Sequence, residues 1–311
     1  MADGTPIARR RRRERLIVLL LLLIAAAVWG VWLLVSGAPS RATATPQPRS
    51  IASSGDTLTF LAWSDQHVGR DGNAAHLLPA VRAMNTIAGV AYPAVIGGKV
   101  AMPAFVIGCG DCTDWPTRAA VNVFADITRR LNYPSYNVVG NHDEGDDVAS
   151  SRLARWVAAR HGDTSYVFDA GGIRFIVLFS RYNAKQAITP EALTFLRGQL
   201  QADPKRPAIV ATHYCLDAIS NKDKFADALE AGNVILVLGG HYHHAVAGSY
   251  RGRAYFELAS PTASPEFSVV RIDPRRIVVL TWDYGAGQWV DLPRTRLDVA
   301  RRSPAGTAAP D

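Results

Sequence analysis

The chain has 311 residues, of which 48% are hydrophobic, so it is long enough to bury the core of one large domain or two small ones. Its formal net charge is +7, but more than half of that excess lies in the first 36 residues, where six arginines stand against Asp3 and Glu14. The basic balance therefore belongs to one terminal cluster, and no nucleic-acid-binding surface is indicated.

Residues 16–35 form an uncharged run of mostly Leu, Ile, Val and Ala, with Trp29 and Trp32 near its far end. A helix of that length covers about 30 Å, the hydrocarbon thickness of a bilayer. The basic tail 1–15 before it predicts a cytoplasmic amino terminus and an extracytoplasmic remainder, periplasmic or at the cell surface. We interpret 16–35 as a transmembrane helix or uncleaved signal anchor. The alternatives are a twin-arginine export signal and a signal peptide cut near 42–44, which would give a secreted protein.

The segments on either side of the main domain have a different composition. Residues 36–54 are rich in Ser, Ala, Thr and Pro, which predicts a flexible linker. Residues 299–311 are similar, and we predict a disordered tail there. Between them, 55–298 has the length of a single domain.

Three short apolar runs in the first half predict buried strands, at 57–63, 104–109 and 136–139. The second and third runs are each followed by a glycine, which allows a tight turn. The polar side chains that follow the three runs are, in order, Asp65 and His67, then Asp111 and Asp114, then Asn141, His142 and Asp143. Asp65 and His67 are two apart, so on an extended chain they share a face and can hold one cation.

Helical periodicity at 74–87, 117–131 and 190–200 alternates with these strands. The stretch 89–103 is punctuated by Gly and Pro and has too little periodicity to assign. We expect this stretch, together with the loop after Phe179, to border the functional site.

The second half of the domain follows the same plan. An apolar strand at 208–212 ends in His213, and a strand at 234–238 ends in Gly239, Gly240, His241, Tyr242, His243 and His244. Alternating runs at 254–259, 267–272 and 276–282 predict closing antiparallel strands. Strand–helix alternation in both halves predicts α/β layers, with two sheets packed face to face and helices outside.

Metal-capable side chains therefore follow five predicted strands, in the order Asp-x-His, Gly-Asp, Gly-Asn-His-Asp, His and Gly-His-x-His, and five of the eight histidines lie there. This ordered set resembles the calcineurin-like metallophosphoesterase superfamily from Leu58 to about Trp282. The resemblance implies a four-layer αββα sandwich. It also implies hydrolysis of phosphomono- or diesters, in which a hydroxide that bridges two metal ions attacks phosphorus.

When the ligands of the family are assigned to the matching positions of this chain, the resemblance implies two metal sites. One cation is held by Asp65, His67 and His243, the second by Asn141, His213 and His241, and Asp111 bridges both. Mixed carboxylate, amide and imidazole ligands suit divalent or mixed-valence Mn, Fe or Zn. His142 is implied to donate a proton to the leaving oxygen, and Asp114 is the candidate to hold the other nitrogen of that imidazole.

Asp114 also distinguishes branches of the superfamily. It stands where purple acid phosphatases have a tyrosine ligand, and Trp115 follows it where serine/threonine phosphatases have an arginine. The remaining pattern resembles the broad group that contains cyclic-nucleotide and glycerophosphodiester phosphodiesterases.

Other residues have two interpretations. Arg70 and Arg181 are candidate substrate contacts, because arginines bind phosphate with two hydrogen bonds, and the alternative is that they are ordinary surface residues. His244 neighbours the predicted ligands and is a third candidate substrate contact. Cys109 and Cys112, which bracket Asp111, suit either a disulfide or small buried fillers; for these two and Cys215 we favour fillers.

Two rival functions remain beside the phosphoesterase hypothesis. One is a catalytically silent metal-binding or interaction domain on the same fold. The complete set of ligand positions speaks against it, because a decayed site is expected to have lost at least one. The other is an envelope lipid-phosphate hydrolase, which rests only on the predicted anchor.

Overall fold

The computed structural model describes residues 50–51, 57–181, 185–290 and 292–300. The predicted membrane helix 16–35, the basic tail before it and residues 301–311 lie outside these ranges, so the anchor stays a prediction. Within the ranges, every helix is too short or too polar to cross a membrane.

The described strands and helices alternate along most of the chain. In chain order the strands are β1 (Ser50–Ile51), β2 (Leu58–Trp63), β3 (Val106–Gly108), β4 (Ser135–Asn137), β5 (Tyr166–Ala170), β6 (Ile173–Leu178), β7 (Ala208–Tyr214), β8 (Val234–Gly240), β9 (Val246–Tyr250), β10 (Arg253–Glu257), β11 (Glu266–Ile272), β12 (Arg276–Asp283), β13 (Gln288–Trp289) and β14 (Arg296–Ala300). The α-helices are α1 (Leu77–Thr86), α2 (Arg118–Arg129), α3 (Arg152–His161), α4 (Pro190–Gln201) and α5 (Lys222–Leu229).

The strands form two mixed sheets, which gives the α/β sandwich expected from the sequence. The first sheet has the order β1-β5-β6-β7-β8-β10-β9, and the second has the order β13-β12-β11-β2-β3-β4, with β14 also paired to β12. In the first sheet β6, β7 and β8 are parallel, and in the second β2, β3 and β4 are parallel. The carboxyl ends of parallel neighbours share one edge of a sheet, so the residues that follow these strands are brought together.

Aromatic side chains join the two sheets face to face. Phe60 and Phe105 of the second sheet stack with ring centroids 4.8 Å apart, and the ring of Phe175 from the first sheet lies edge-on to both, at 5.3 and 5.1 Å. Phe168 continues the cluster. Edge-to-face and offset contacts of this kind are favoured by the ring quadrupole, and all four side chains are buried.

Strand β6 shows how the layers follow from alternation along a strand. Phe175 and Val177 belong to the core cluster that includes the second sheet, while Ile176 and Leu178 belong to a second cluster with α4 and α5. Successive side chains on a strand point to opposite faces, so one strand serves both layers.

Three helices begin at residues that the sequence marks as caps. The hydroxyls of Thr117, Ser151 and Thr189 accept the backbone N–H three residues ahead, at the starts of α2, α3 and α4. Pro190 stands in the first turn of α4, where its missing N–H costs nothing. These caps satisfy amide groups that would otherwise lack partners.

The ends of the predicted linker and tail differ from the sequence-based expectation. Ser50–Ile51, placed in the linker, pairs in parallel with Asp169 and Ala170 of β5. Val299 and Ala300, placed in the tail, pair with β12. Edge pairing of so few residues depends on a neighbouring strand, which composition does not reveal.

The stretch 89–103 packs against strands of the second sheet. Its carbonyls accept hydrogen bonds from Trp289, Arg276 and Arg271, at Ala91, Ile96 and Gly97 respectively. The ring of Tyr92 stacks on Trp289 with centroids 5.5 Å apart. These contacts hold the stretch against β11, β12 and β13, and tertiary donors rather than local sequence decide that location.

Candidate metal centre

The carboxyl ends of five strands, and the turns that follow four of them, bring seven predicted ligands to one place. They are Asp65 and His67 after β2, Asp111 after β3, Asn141 after β4, His213 near the end of β7, and His241 and His243 after β8. The two sheets contribute three and four of these residues, so the site exists only in the assembled sandwich.

One group consists of Asp65, His67 and His243, whose candidate ligand atoms all lie within 4.8 Å of one another. The Nε2 atoms of the two histidines are 3.3 Å apart. Oδ1 of Asp65 lies 3.5 Å from Nε2 of His243 and 3.9 Å from Nε2 of His67. Asp65 is fully buried, and its other oxygen accepts the backbone N–H of His241.

A second group surrounds His213. Its Nε2 lies 2.9 Å from Oδ1 of Asn141 and 3.3 Å from Oδ2 of Asp111, and His241 completes the group. Nδ1 of His213 lies 2.8 Å from the carbonyl oxygen of Cys109, to which it donates. That hydrogen bond fixes the ring and directs Nε2 towards the other donors, as metal-ligating histidines require.

Asp111 lies between the two groups. Its Oδ2 is 3.3 Å from His213 of one group and 3.8 Å from Nε2 of His67 of the other. Its Oδ1 accepts the backbone N–H of His142 at 2.9 Å. This location is the one expected of a bridging carboxylate.

The backbone around the site adopts a conformation that side chains disfavour. Five non-glycine residues have positive φ: Asp65 (53°), His67 (43°), Asp111 (50°), His241 (82°) and His243 (67°). Each such residue costs on the order of 1–3 kcal/mol and persists only where its surroundings fix it. Here the N–H groups of Asp65 and His67 donate to the carbonyls of Gly110 and Asp111, both at 2.9 Å.

Two glycines allow strands and carboxylates to approach closely. A Cβ at Gly140 would collide with the backbone nitrogen and the carboxylate of Asp111, and a Cβ at Gly240 would collide with Ser64 and the carboxylate of Asp65. Both positions therefore need glycine because of space, whatever the backbone angles.

Asp143 has a positioning role that the sequence reading did not assign. Its buried carboxylate accepts the backbone N–H groups of Cys112, Thr113 and Gly140 at 3.0, 2.8 and 2.9 Å, and the Thr113 hydroxyl at 2.9 Å. It thereby ties the loop after β3 to the loop after β4. Burial and the charge of Asp111 raise the pKa of Asp143 to about 7, against the effect of the three N–H donors.

The charged forms of His213 and Asp111 stabilise each other. Burial disfavours the imidazolium of His213, but Asp111 and Asp65 outweigh burial and raise its pKa to about 10. Burial would raise the pKa of Asp111 in turn, yet the charge and hydrogen bond of His213 hold it well below the usual range. His213 and Asp111 therefore form a buried ion pair when no cation is bound, and a cation would take the place of the proton.

The donor set fits two cations. Oδ1 of Asp65 is buried and has no hydrogen-bond donor within the described part of the chain, which is costly unless something positive faces it. The donors are imidazole, carboxylate and amide, as Mn, Fe and Zn prefer. The individual ligand roles stay predictions.

His142 and Asp114 lie beside the first group. Nδ1 of His142 is 3.1 Å from the backbone carbonyl oxygen of Asp114 and 3.5 Å from its carboxylate. The ring stands edge-on to His67, with centroids 4.8 Å apart. We expected the Asp114 side chain to hold this imidazole, whereas the shorter contact comes from its carbonyl.

The three candidate substrate contacts have different surroundings. Arg70 places its guanidinium 4.9 Å above the ring of Trp115 and 3.9 Å from the carboxylate of Asp114. Arg181 pairs with Asp147 at 3.3 Å. Nδ1 of His244 lies 2.7 Å from the carbonyl oxygen of Tyr242. Their substrate-binding roles stay predictions.

The cysteines suit the filler interpretation. Cys109, Cys112 and Cys215 are buried and free. Burial raises the thiol pKa of all three, so each stays protonated and unreactive at neutral pH. Cys109 and Cys112 contribute backbone groups to the site instead, as the partners of His213 and Asp143.

Glu257, at the end of β10, is a further residue that sequence reasoning missed. Its carboxyl accepts the backbone N–H of Tyr242 at 3.1 Å, inside the turn that carries His241 and His243. Burial raises its pKa to about 8. A glutamate on an ordinary strand gives no sequence signal of such a role.

The comparisons with known proteins agree with this geometry. The family model "Calcineurin-like phosphoesterase" matches residues 58–245, more than half of the chain. A probable glycerophosphodiester phosphodiesterase of Arcobacter nitrofigilis is 25% identical over 174 residues, which cover 51% of this chain and 64% of that protein. The match thus spans less than two thirds of the relative.

Among solved structures, the fold is similar to that of GAP50, described as the anchor in the inner membrane complex of Plasmodium. The TM-score is 0.57 at 13% identity, over 79% of this chain and 90% of that one. At this identity the likeness concerns the fold alone.

The metal assignment predicts different losses in two variants. Asp111→Asn should lower the content of both cations, because Asp111 lies between the groups, while His243→Ala should reduce it from about two equivalents to about one. Metal analysis of the purified proteins measures this, with the neighbouring His244→Ala as control. Loss of both cations in His243→Ala would contradict the assignment.

The raised pKa of Glu257 predicts that the stability of the protein changes with pH. Its pKa is about 8 in the fold and 4.5 ordinarily, so its contribution to stability is complete below about pH 4.5 and is lost as the pH rises to about 8. The glutamine in Glu257→Gln stays neutral at every pH. The urea-unfolding midpoint of this variant, relative to that of the wild type, should therefore rise between pH 5 and pH 8. Measurements use chelator-treated protein, with exposed Glu191→Gln as control. A midpoint difference that does not change with pH would contradict the raised pKa.

Proposed function

The chain belongs to the calcineurin-like phosphoesterase family, and we propose on that basis that it is a metal-dependent hydrolase of phosphoric esters on a four-layer αββα sandwich. The observation that carries the proposal is the location of Asp111 between two groups of nitrogen and oxygen donors. The relative named as a glycerophosphodiester phosphodiesterase supports phosphodiesters among the substrates.

In the proposed enzyme each group of side chains holds one cation. Asp65, His67 and His243 hold the first, Asn141, His213 and His241 the second, and Asp111 both. When bound, two divalent or mixed-valence ions of Mn, Fe or Zn supply Lewis-acid chemistry and a nucleophile at neutral pH. The protein's part is to hold the donors rigidly, which the buried hydrogen bonds of Asp143 and His213 accomplish.

His142 acts as general acid in this proposal. Its backbone N–H donates to Asp111 and its Nδ1 faces the Asp114 carbonyl, so the first contact holds the backbone of His142 and the second holds its ring. The hydrogen on Nδ1 donates to that carbonyl, which leaves Nε2 to carry the second proton of the imidazolium. The side chain is 43% exposed, so a leaving alkoxide can reach Nε2 and take that proton.

The proposal is tested first with the wild-type protein. Supplied with Mn, it should hydrolyse an alkyl and a nitrophenyl phosphodiester in a screen that also includes nucleotides, phosphoproteins and lipid head groups. Tight metal binding without turnover of any ester would favour the silent metal-binding domain instead.

The role of His142 then follows from leaving-group dependence. His142→Ala should keep both cations and lose about 10²–10⁴-fold in turnover of the alkyl ester, and much less for the nitrophenyl ester, which departs without a proton. Asp114→Asn keeps the carbonyl contact and should lose less than His142→Ala. An equal loss for both esters, or a missing cation in His142→Ala, would show that His142 is a ligand or a binding residue.

We also propose an extracytoplasmic location, supported by the arginine block before residue 16 and the apolar run 16–35. An alkaline phosphatase fusion after Ser54 should be active, since that reporter folds only outside the cytoplasm, and a cytoplasmic reporter fused there should be inactive. The reverse result would contradict the orientation.

A further inference from the structure

Gln186 lies against the candidate metal centre, and the proposed function gives it no role. It belongs to the connection between β6 and α4, it is half-buried, and its φ is 52°. Its side-chain amide nitrogen lies 2.9 Å from Nε2 of His241. Gln186 is held in an uncommon backbone conformation and its side chain lies beside a predicted ligand. Its environment is therefore more specific than that of a surface glutamine.

The chemistry of the contact fixes its direction. An amide nitrogen carries two hydrogens and accepts nothing, so Nε2 of His241 is the acceptor. Its lone pair therefore points towards Gln186, and the contact uses one of the two amide hydrogens. The second hydrogen can donate to another group beside His241.

We propose that Gln186 is a substrate-binding residue whose second amide N–H donates to a non-bridging oxygen of the phosphate group. This inference rests on the proposed function, because it places phosphate next to His241. The donor is neutral, whereas the cationic side chains of the same connection include the adjacent, exposed Lys185 and also Arg181, which is paired with Asp147 at 3.3 Å. Gln186 thus adds a directional contact to phosphate without adding charge.

A different role is available to the same side chain. Rotation of the amide would turn its oxygen towards His241, and that oxygen could become a further ligand of the cation. The distance does not separate the two roles, since Nε2 of His213 and Oδ1 of Asn141, both predicted ligands, are also 2.9 Å apart. The two roles respond oppositely to a negative charge at position 186.

The experiment compares Gln186→Ala and Gln186→Glu with the wild type. A donor to phosphate predicts about tenfold weaker binding of inorganic phosphate in Gln186→Ala, still weaker binding in Gln186→Glu because of repulsion, and unchanged content of both cations. KM should rise in the same order. Phosphate binding is measured by titration calorimetry on the metal-loaded protein, and Gln201→Glu at the exposed end of α4 is the control for added charge.

Two results would overturn the proposal. Loss of a cation in Gln186→Ala that Gln186→Glu restores would make Gln186 a ligand, because a carboxylate replaces an amide oxygen there. Phosphate affinity equal to wild type in both variants would remove any role in binding. Calorimetry needs no turnover, so Gln186-dependent phosphate binding without hydrolysis of any ester would overturn the proposed function and leave this inference standing.

Discussion

The buried contact between Asp111 and His213 is the interaction on which both halves of the site depend. Asp111 follows β3 in one sheet and His213 lies near the end of β7 in the other, and their nearest side-chain atoms are 3.3 Å apart. Each side chain keeps the other charged in a place where burial alone would neutralise both. Removal of either partner leaves an uncompensated buried charge, which is strongly destabilising. The packing of the sheets and the geometry of the site are therefore one constraint.

The rest of the site can be understood as support for that contact. Five residues at positive φ are kept in place by backbone hydrogen bonds and by the Asp143 carboxylate, which gathers amides from two loops. Gly140 and Gly240 remove the side-chain atoms that would keep the carboxylates of Asp111 and Asp65 away. Backbone strain is thus concentrated where donors must converge, and the buried hydrogen bonds around it offset the cost.

Much of the fold and of the site could be predicted from the sequence because the signals are local. An apolar run that stops at polar residues marks both a strand and the donors at its end, as in 57–63 followed by Asp65 and His67. Gln186 and Glu257 have no such signal, since their contacts with His241 and Tyr242 arise only when distant segments pack. The Asp114 carbonyl was missed for a related reason: a sequence displays side chains, while a backbone acceptor depends on the turn. The same holds for 89–103, where Trp289 and Arg276 decide the location.

The charge balance of the site links metal binding to pH. Without a cation, the Asp65 carboxylate raises the pKa of His243, Asp111 raises that of His213, and burial lowers that of His67 and His241. The cationic imidazoles thus offset the two buried carboxylates, and a cation must displace their protons to bind, so binding weakens as the pH falls. Because the donors come from both sheets, a cation that binds only the folded state also stabilises the sandwich by mass action. Acid should therefore weaken the site and the fold together, through the same few histidines.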